Sequence, residues 1–330
     1  NIKTHKPSYM GGETITGNIE VYSSSHLMCQ SVKLTVSGKE KCKFHVLKMK
    51  TEQQSDGSYE IKYEREKVKD DREFFDRDEK SLWSGVLPPE PQLLPFEFAL
   101  PRNLPASFHM KGSSGSGDRK RKWEACISYK VKAKIVVSGG SDLVAKQSLV
   151  IVEPPHAPTE PIKDYKEGSA LCCLCIPRGK IRIEAHFDRL QVFPGERFGF
   201  HLIVDNDSSM NVNSTKTKLM RVIELKAKGK SWRIVDQIGP TGKFNAVPGK
   251  SKLEQDVYLD IDSSVQPATT YGSFVSCKFH MDAECDIAWA PDVELHRSVD
   301  ICPHIPKEWG SQYYVSTRHN PNVSFLATSE

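Results

Sequence analysis

Apolar and polar residues alternate at every second position along most of this chain. Ile15, Gly17, Ile19 and Val21 share one face of a predicted strand, as do Val32, Leu34 and Val36. Phe96, Phe98 and Leu100 repeat the pattern, and Ile127, Tyr129, Val131, Ala133, Ile135 and Val137 extend it over a long strand. In the second half the same alternation runs through Ile181 to Phe187, Phe198 to Val204, Val257 to Ile261, Val275 to Phe279, and Val293 with Leu295. Side chains of a strand project alternately to opposite faces, so each run buries one face and wets the other. No apolar stripe at helical spacing persists for three turns. Half-buried strands punctuated by Gly, Pro and Ser predict an all-β chain of antiparallel sandwiches.

Two stretches say nearly the same thing. YMGGETITGNIEV (Tyr9 to Val21) and VFPGERFGFHLIV (Val192 to Val204) each run as an aromatic, a turn ending in Gly, a Glu, and an alternating strand. Gly at the turn permits a positive φ, and Glu13 and Glu196 are expected to open the exposed face of the strand that follows. Between the repeats lies VEPPHAPTEPIKDYKEGSA, residues 152 to 170, whose four prolines cannot sit in a central strand and stiffen a connector. The expected organisation is a first sandwich at 1–153, a Pro-rich linker at 154–167, a second sandwich at 168–303 and a tail at 304–330. A length of 330 residues accommodates two such modules.

Two biased stretches fall inside the first half. EIKYEREKVKDDREFFDRDEK, residues 60 to 80, alternates in sign and predicts a solvated strand and loop anchored by Phe74 and Phe75. KGSSGSGDRKRK, residues 111 to 122, predicts a flexible Gly/Ser loop ending in Arg119, Lys120, Arg121 and Lys122. Those four cations suit phosphates, either on lipid headgroups at a peripheral membrane contact or on a phosphorylated tail; the competing reading is a solubilising loop tip.

Composition narrows the chemistry. A hydrophobic content of 38% and a charged content of 27% fit a folded chain, and a net charge of +4 is too mild to announce nucleic acid. No aromatic platform interleaves with the cation cluster, so no nucleic-acid partner is expected. No apolar run reaches the roughly 18 residues of a membrane helix. The chain opens on Asn1 and is expected to be part of a longer one. Nine dispersed cysteines suggest no disulfide framework and fit a reduced, cytoplasmic setting.

Catalytic signatures are missing. VPGKS (Val247 to Ser251) has Phe244 where a phosphate-binding loop needs its first Gly, so it is expected to be a strand-connecting turn. G-x-S-x-G, H-E-x-x-H and G-x-G-x-x-G do not occur. The expectation is a protein without catalysis, cofactor or resident metal. Cys172 and Cys175 form a C-x-x-C with Cys173 between them, half of a zinc site with no second half in sequence. Small packed residues are the first reading of these three, and a redox-responsive scaffold the alternative.

The motifs resemble the arrestin superfamily, and within it the α-arrestin, arrestin-domain-containing branch. YMGGETITGNIEV resembles its Y-x-P-G-E-x-V-x-G-x-V opening, and LPFEFALPRNLPASF (Leu94 to Phe108) its F-P-F-x-F-x-L-P-x-x-L-P-S-S-F segment. ISYKVKAKI (Ile127 to Ile135), LCCLCIPRGKIRIEAHFDRLQVFPGE (Leu171 to Glu196) and LMRVIELKAKGK (Leu219 to Lys230) resemble later strands in the right order. The resemblance implies two tandem arrestin-type, immunoglobulin-like sandwiches in a cytoplasmic adaptor recruited to the plasma membrane or endosomes. Such an adaptor binds cytoplasmic tails of receptors or transporters and recruits ubiquitin ligases or endocytic and endosomal machinery. It also implies Lys3 and Lys6, near the start, as candidate phosphate readers beside residues 119 to 122. The same fold serves as a coat subunit in retromer-like sorting complexes, the alternative within the superfamily. Three features depart from the pattern: no Pro-Pro-x-Tyr occurs, NAVPGKSKLEQ lacks the cysteine of thioredoxin-interacting relatives, and no counterpart of the buried charge network of visual and β-arrestins is legible.

Overall fold

A computed structural model describes residues 1–303 except 79–81, 155, 158–159, 173–175, 266 and 289. The first half forms β1 (Ile2–Thr4), β2 (Ser8–Met10), β3 (Thr14–Val21), β4 (Leu27–Gln53), β5 (Tyr59–Asp78), β6 (Trp83–Leu87), β7 (Gln92–Ala99), β8 (Phe108–Ser114), β9 (Arg121–Val137) and β10 (Leu143–Val152). The second forms β11 (Ile162–Cys172), β12 (Ile176–Phe187), β13 (Gln191–Val192), β14 (Arg197–Ser208), β15 (Val212–Ala227), β16 (Lys230–Phe244), β17 (Ser251–Asp260), β18 (Thr270–Tyr271), β19 (Val275–Ile287) and β20 (Val293–Ile301). The helical content described is one 3-10 turn, Gly117–Arg119.

Each half is a sandwich. A sheet ordered β1-β3-β7 is joined to one ordered β2-β10-β9-β4-β5, with β6 and β8 on its flanks. Phe75 of β5 stacks on Phe98 of β7 across the gap, ring centroids 6.2 Å apart. The second sandwich combines β11-β12-β14-β17 with β13-β20-β19-β15-β16. There the sheets approach so closely that a Cβ at Gly168 would lie 2.5 Å from Val293 Cγ2, so only glycine fits that position on β11. β11 begins at Ile162, inside the stretch expected to be linker, because the alternation of Ile162, Asp164 and Lys166 pairs with Phe187, Ala185 and Ile183 of β12. The predicted tail, 304–330, lies outside the described residues.

The repeated opening has the same architecture twice. β2 pairs parallel to β10 and β13 parallel to β20, and the chain then turns and crosses to the opposite sheet as β3 or β14. Gly12 and Gly195 make these crossings at φ of 89° and 87°, a region L side chains rarely enter. The glutamates differ from expectation. Glu13 is buried and its Oε2 accepts the Met10 N–H at 2.7 Å; Glu196 Oε2 accepts the Phe193 N–H at 3.3 Å. Each carboxylate closes its own turn by taking a backbone donor three residues back, which the exposed role assigned from sequence does not provide.

β4 and β5 form a hairpin that outgrows its sheet. β9 accompanies β4 from Cys29 to Phe44, and beyond that point β4 and β5 pair only with each other, Gln53 reaching Tyr59. Phe74 and Phe75 anchor β5 by packing on Tyr129, as the sequence predicts. VPGKS is a turn: Val247 bridges Val212, and Lys250 leads at positive φ into β17.

The two sandwiches are joined by side-chain chemistry. Fully buried Glu40 of β4 accepts the Phe274 and Val275 N–H groups on Oε1, both at 2.8 Å, and the Ser273 N–H on Oε2 at 3.2 Å. Glu153 Oε2 takes the hydroxyl of Thr270 at 2.9 Å and the Tyr271 N–H at 3.2 Å, while its Oε1 meets His156 Nε2 at 2.8 Å. Asp300 Oδ2 accepts the backbone donors of His156 and Ala157. Phe44 of β4 lies 6.2 Å from Trp232 of β16, so the buried apolar residues of the two modules meet at the seam.

Candidate functional site

The strand order β8-β9-β4-β5 sets four cation-bearing strands side by side. Alternation places Lys43 and His45 of β4 on the face opposite buried Phe44, and Lys67 of β5 opposite buried Val68. Register then aligns them: Lys111 opposes Glu124, Glu124 opposes Lys43, Lys43 opposes Lys69, and His45 opposes Lys67. Of these, Lys43, His45, Lys67, Lys111 and Glu124 line a groove of about 500 Å³ together with Gly112, Ser113, Lys120, Lys122 and Trp123. Gly112 is required, because a Cβ there would lie 2.8 Å from the Trp123 ring.

The groove is electropositive. Glu124 pairs with Lys43 at 3.0 Å. Among the described residues no carboxylate within 4 Å pairs with Lys67, Lys111, Lys120 or Lys122. Elsewhere on the same hairpin lysines meet acids: Lys39 with Glu73, Lys48 with Glu66, Lys50 with Glu64. Like charges placed directly across a sheet destabilise it; Lys43, opposite Lys69, is offset by its Glu124 partner, and His45, opposite Lys67, stays neutral. His45 registers the field: partial burial, then the nearby charges of Arg65, Lys67, Lys122 and Lys43, hold its imidazole below the ordinary histidine range. Its Nδ1 accepts the Lys122 N–H at 3.1 Å, which leaves Nε2 to carry the proton of the neutral ring.

The cation run predicted from sequence is divided by this geometry. Residues 111–122 are not a flexible loop: Lys111 to Ser114 pair with Glu124 to Arg121, and the 3-10 turn joins the strands. The turn lets β8 and the start of β9 keep their ladder bonds, which an unstructured Gly/Ser segment would forgo. Lys120 and Lys122 line the groove, whereas Arg121 stacks 4.5 Å over Trp232 of the second module and Arg119 stacks 4.6 Å over Tyr63. Lys3 and Lys6 stand apart from it. Lys3 pairs with Glu20 at 2.7 Å, and Lys6 reaches buried Glu13 at 3.3 Å and the Tyr9 ring. Cys173 and Cys175 lie outside the described residues, and Cys172 ends β11. Lys43, His45, Lys67 and Lys111 escaped the sequence reading; the period-two spacing of Lys41, Lys43 and His45 was its visible signal.

A second cavity, about 740 Å³, opens at the seam between Met10–Gly12, Arg102–Pro105, Glu153, His156 and Tyr271. His156 packs edge-on against Tyr271, and burial pushes that phenol up to about 12. Glu153, His156 and Asp300 all have partners inside the protein, so this cavity is part of the joint between modules.

Two β-sandwiches joined by a buried polar seam, one of them carrying a basic groove, define a two-domain scaffold of the arrestin type. The comparisons agree. Residues 1–156 match the family described as arrestin (or S-antigen), N-terminal domain, and residues 177–304 match arrestin (or S-antigen), C-terminal domain. Arrestin domain-containing protein A of Dictyostelium discoideum is 24% identical over 302 residues, covering 89% of this chain and 49% of its own length. The chain thus spans about half the length of that relative. It belongs to the arrestin family and is α-arrestin-like. Members of this family act generally as adaptors through protein interactions. Among the described residues no helix is long and apolar enough to cross a membrane.

Proposed function

We propose that this chain is a non-catalytic adaptor that links membrane cargo, receptors or transporters, to ubiquitination, endocytic or endosomal sorting machinery. It works in the cytoplasm and is recruited to the plasma membrane or endosomes. The groove of Lys43, His45, Lys67, Lys111, Lys120 and Lys122 is where cargo binds, and the ligand is an acidic or phosphorylated segment of a cytoplasmic tail. The observation that carries this reading is the convergence of Lys67, Lys111, Lys120 and Lys122, none paired with a carboxylate among the described residues, in one groove with Lys43, His45 and Trp123. Phosphate oxygens accept charge-assisted bonds from several lysines at once. A concave groove also suits a peptide better than a planar bilayer. The second sandwich, fixed by the Glu40 seam, supplies separate faces for the sorting partner, and two modest contacts on one scaffold reinforce each other.

The test is fluorescence anisotropy with a doubly phosphorylated tail peptide, its unphosphorylated form and anionic vesicles. The phosphopeptide binds tightest, and Lys67→Glu with Lys122→Glu weakens it at least tenfold. Vesicle binding that survives phosphopeptide saturation, or equal affinity for both peptides, contradicts the reading.

A further inference from the structure

The outer face of the β19–β20 pair carries a group of side chains that the adaptor reading does not use. His280 and Asp282 are two residues apart on β19, so they project from one face, and the register sets His296 of β20 directly opposite Asp282. Asp282 Oδ1 lies 2.7 Å from His296 Nδ1 and 3.3 Å from His280 Nε2. One ligand atom from each of the three lies within 4.8 Å of the others. Ligands on a tetrahedral ion at zinc–nitrogen and zinc–oxygen distances stand roughly 3.3 Å apart, so the three atoms need only small rotamer adjustments to share an ion.

The surroundings complete the pattern. His296 presents Nδ1 to Asp282 while its other nitrogen, Nε2, lies 3.1 Å from Glu294 Oε2. A carboxylate on the far nitrogen is how metal-bound histidines are oriented and made more basic. The cations on the same face are engaged elsewhere: Lys216 and Lys218 reach Glu284, and Lys278 reaches Glu224. Lys218 stands opposite Asp282 on β15, but its ammonium group goes to Glu284, and the ionic partners that reach the Asp282 carboxylate are the two imidazoles.

We propose that His280, Asp282 and His296 bind a divalent transition-metal ion of the zinc class, with Glu294 orienting His296 from outside the coordination shell. Two imidazoles and a carboxylate are borderline ligands that select zinc and its neighbours over calcium or magnesium. Three protein ligands leave one position open to solvent. The site lies on the second sandwich, away from the basic groove of the first, and stands or falls independently of the adaptor reading.

The test uses the full chain, stripped with a chelator and titrated with Zn²⁺ against a chromophoric competitor, with Co²⁺ as a spectroscopic substitute. One ion binds per chain, and the cobalt spectrum shows tetrahedral bands without thiolate charge transfer, which separates this site from the cysteines. His280→Gln with His296→Gln abolishes that binding while the metal-free melting temperature holds, and Glu294→Gln, which removes no ligand and no buried contact, weakens it by about tenfold. Absence of stoichiometric binding to the native chain overturns the proposal. So does undiminished affinity in the double variant, or, if that variant fails to fold, in Glu294→Gln and Asp282→Asn.

Discussion

Glu40 Oε1, in the first sandwich, accepts the Val275 N–H of the second at 2.8 Å, deep in the seam and without exposure to solvent. The same carboxylate serves Phe274 and Ser273, so one side chain satisfies three consecutive backbone donors at the start of β19. Truncation would leave those donors buried without acceptors. Glu40→Ala is expected to destabilise the chain by about 3 kcal/mol or more. Denaturant unfolding should show it, together with faster amide exchange at Ser273 to Val275; unchanged exchange there would mean the seam is held by packing alone.

The seam also makes stability depend on pH. Burial raises the carboxyls of Glu40 and Asp300, and the hydrogen bond that the His156 imidazole gives to Glu153 raises its own proton affinity. Each group therefore binds its proton more tightly in the folded chain than in the unfolded one. Such a contribution is present in full below the unfolded pKa and is lost as pH rises through the folded value. For His156 that loss begins near the ordinary imidazole value of about 6.5. The melting temperature of the native chain should exceed that of His156→Gln by a margin that shrinks from mildly acidic to mildly alkaline pH. A margin independent of pH would show that the Glu153–His156 contact is not linked to folding.

Thiol chemistry should be selective. Burial pushes Cys42 up to about 11 and Cys277 and Cys285 up to about 12, and it raises Cys302 as well. All four are buried and free, whereas Cys126 is partly exposed. A thiol at such values is almost wholly protonated at neutral pH and a poor nucleophile. Mass spectrometry after brief alkylation of the native chain should find Cys126 labelled well before those four. Early labelling of Cys277 or Cys285 would indicate that the second sandwich opens readily.

Arg121 and Lys122 are neighbours in sequence and should have separable effects. Lys122 lines the groove, while Arg121 stacks on Trp232 across the seam. Arg121→Ala is expected to leave phosphopeptide affinity within about threefold and to lower the melting temperature, since cation–π contacts between packed elements carry modest stabilisation. Lys122→Ala should do the reverse. Equal loss of affinity in both variants would show that the cation run acts as one patch.

Much of this was legible in the chain because burial on one face enforces a period of two, and that period survives in Ile15 to Val21 and Val275 to Phe279. The repeated Gly-Glu turn was legible for the same reason, since Gly12 and Gly195 need a conformation that few residues tolerate. The role of Glu13 was not, because a buried carboxylate and an exposed one look alike until its backbone donor is placed. The groove was half visible. Lys120 and Lys122 stand in an obvious run, but Lys43, His45, Lys67 and Lys111 join them only through register, which pairs residues up to about eighty positions apart. The seam was hidden for the same reason, as Glu40 meets residues more than two hundred positions away.

His45 offers the most direct view of the central claim, because it sits among the cations of the groove and its imidazole reports their field. Nuclear magnetic resonance should follow its titration with and without a saturating phosphopeptide. An anion seated beside Lys67 and Lys122 stabilises the protonated ring, so the pKa of His45 should rise on binding. A His45 titration that stays in place while the peptide is fully bound would put the ligand elsewhere and contradict the account.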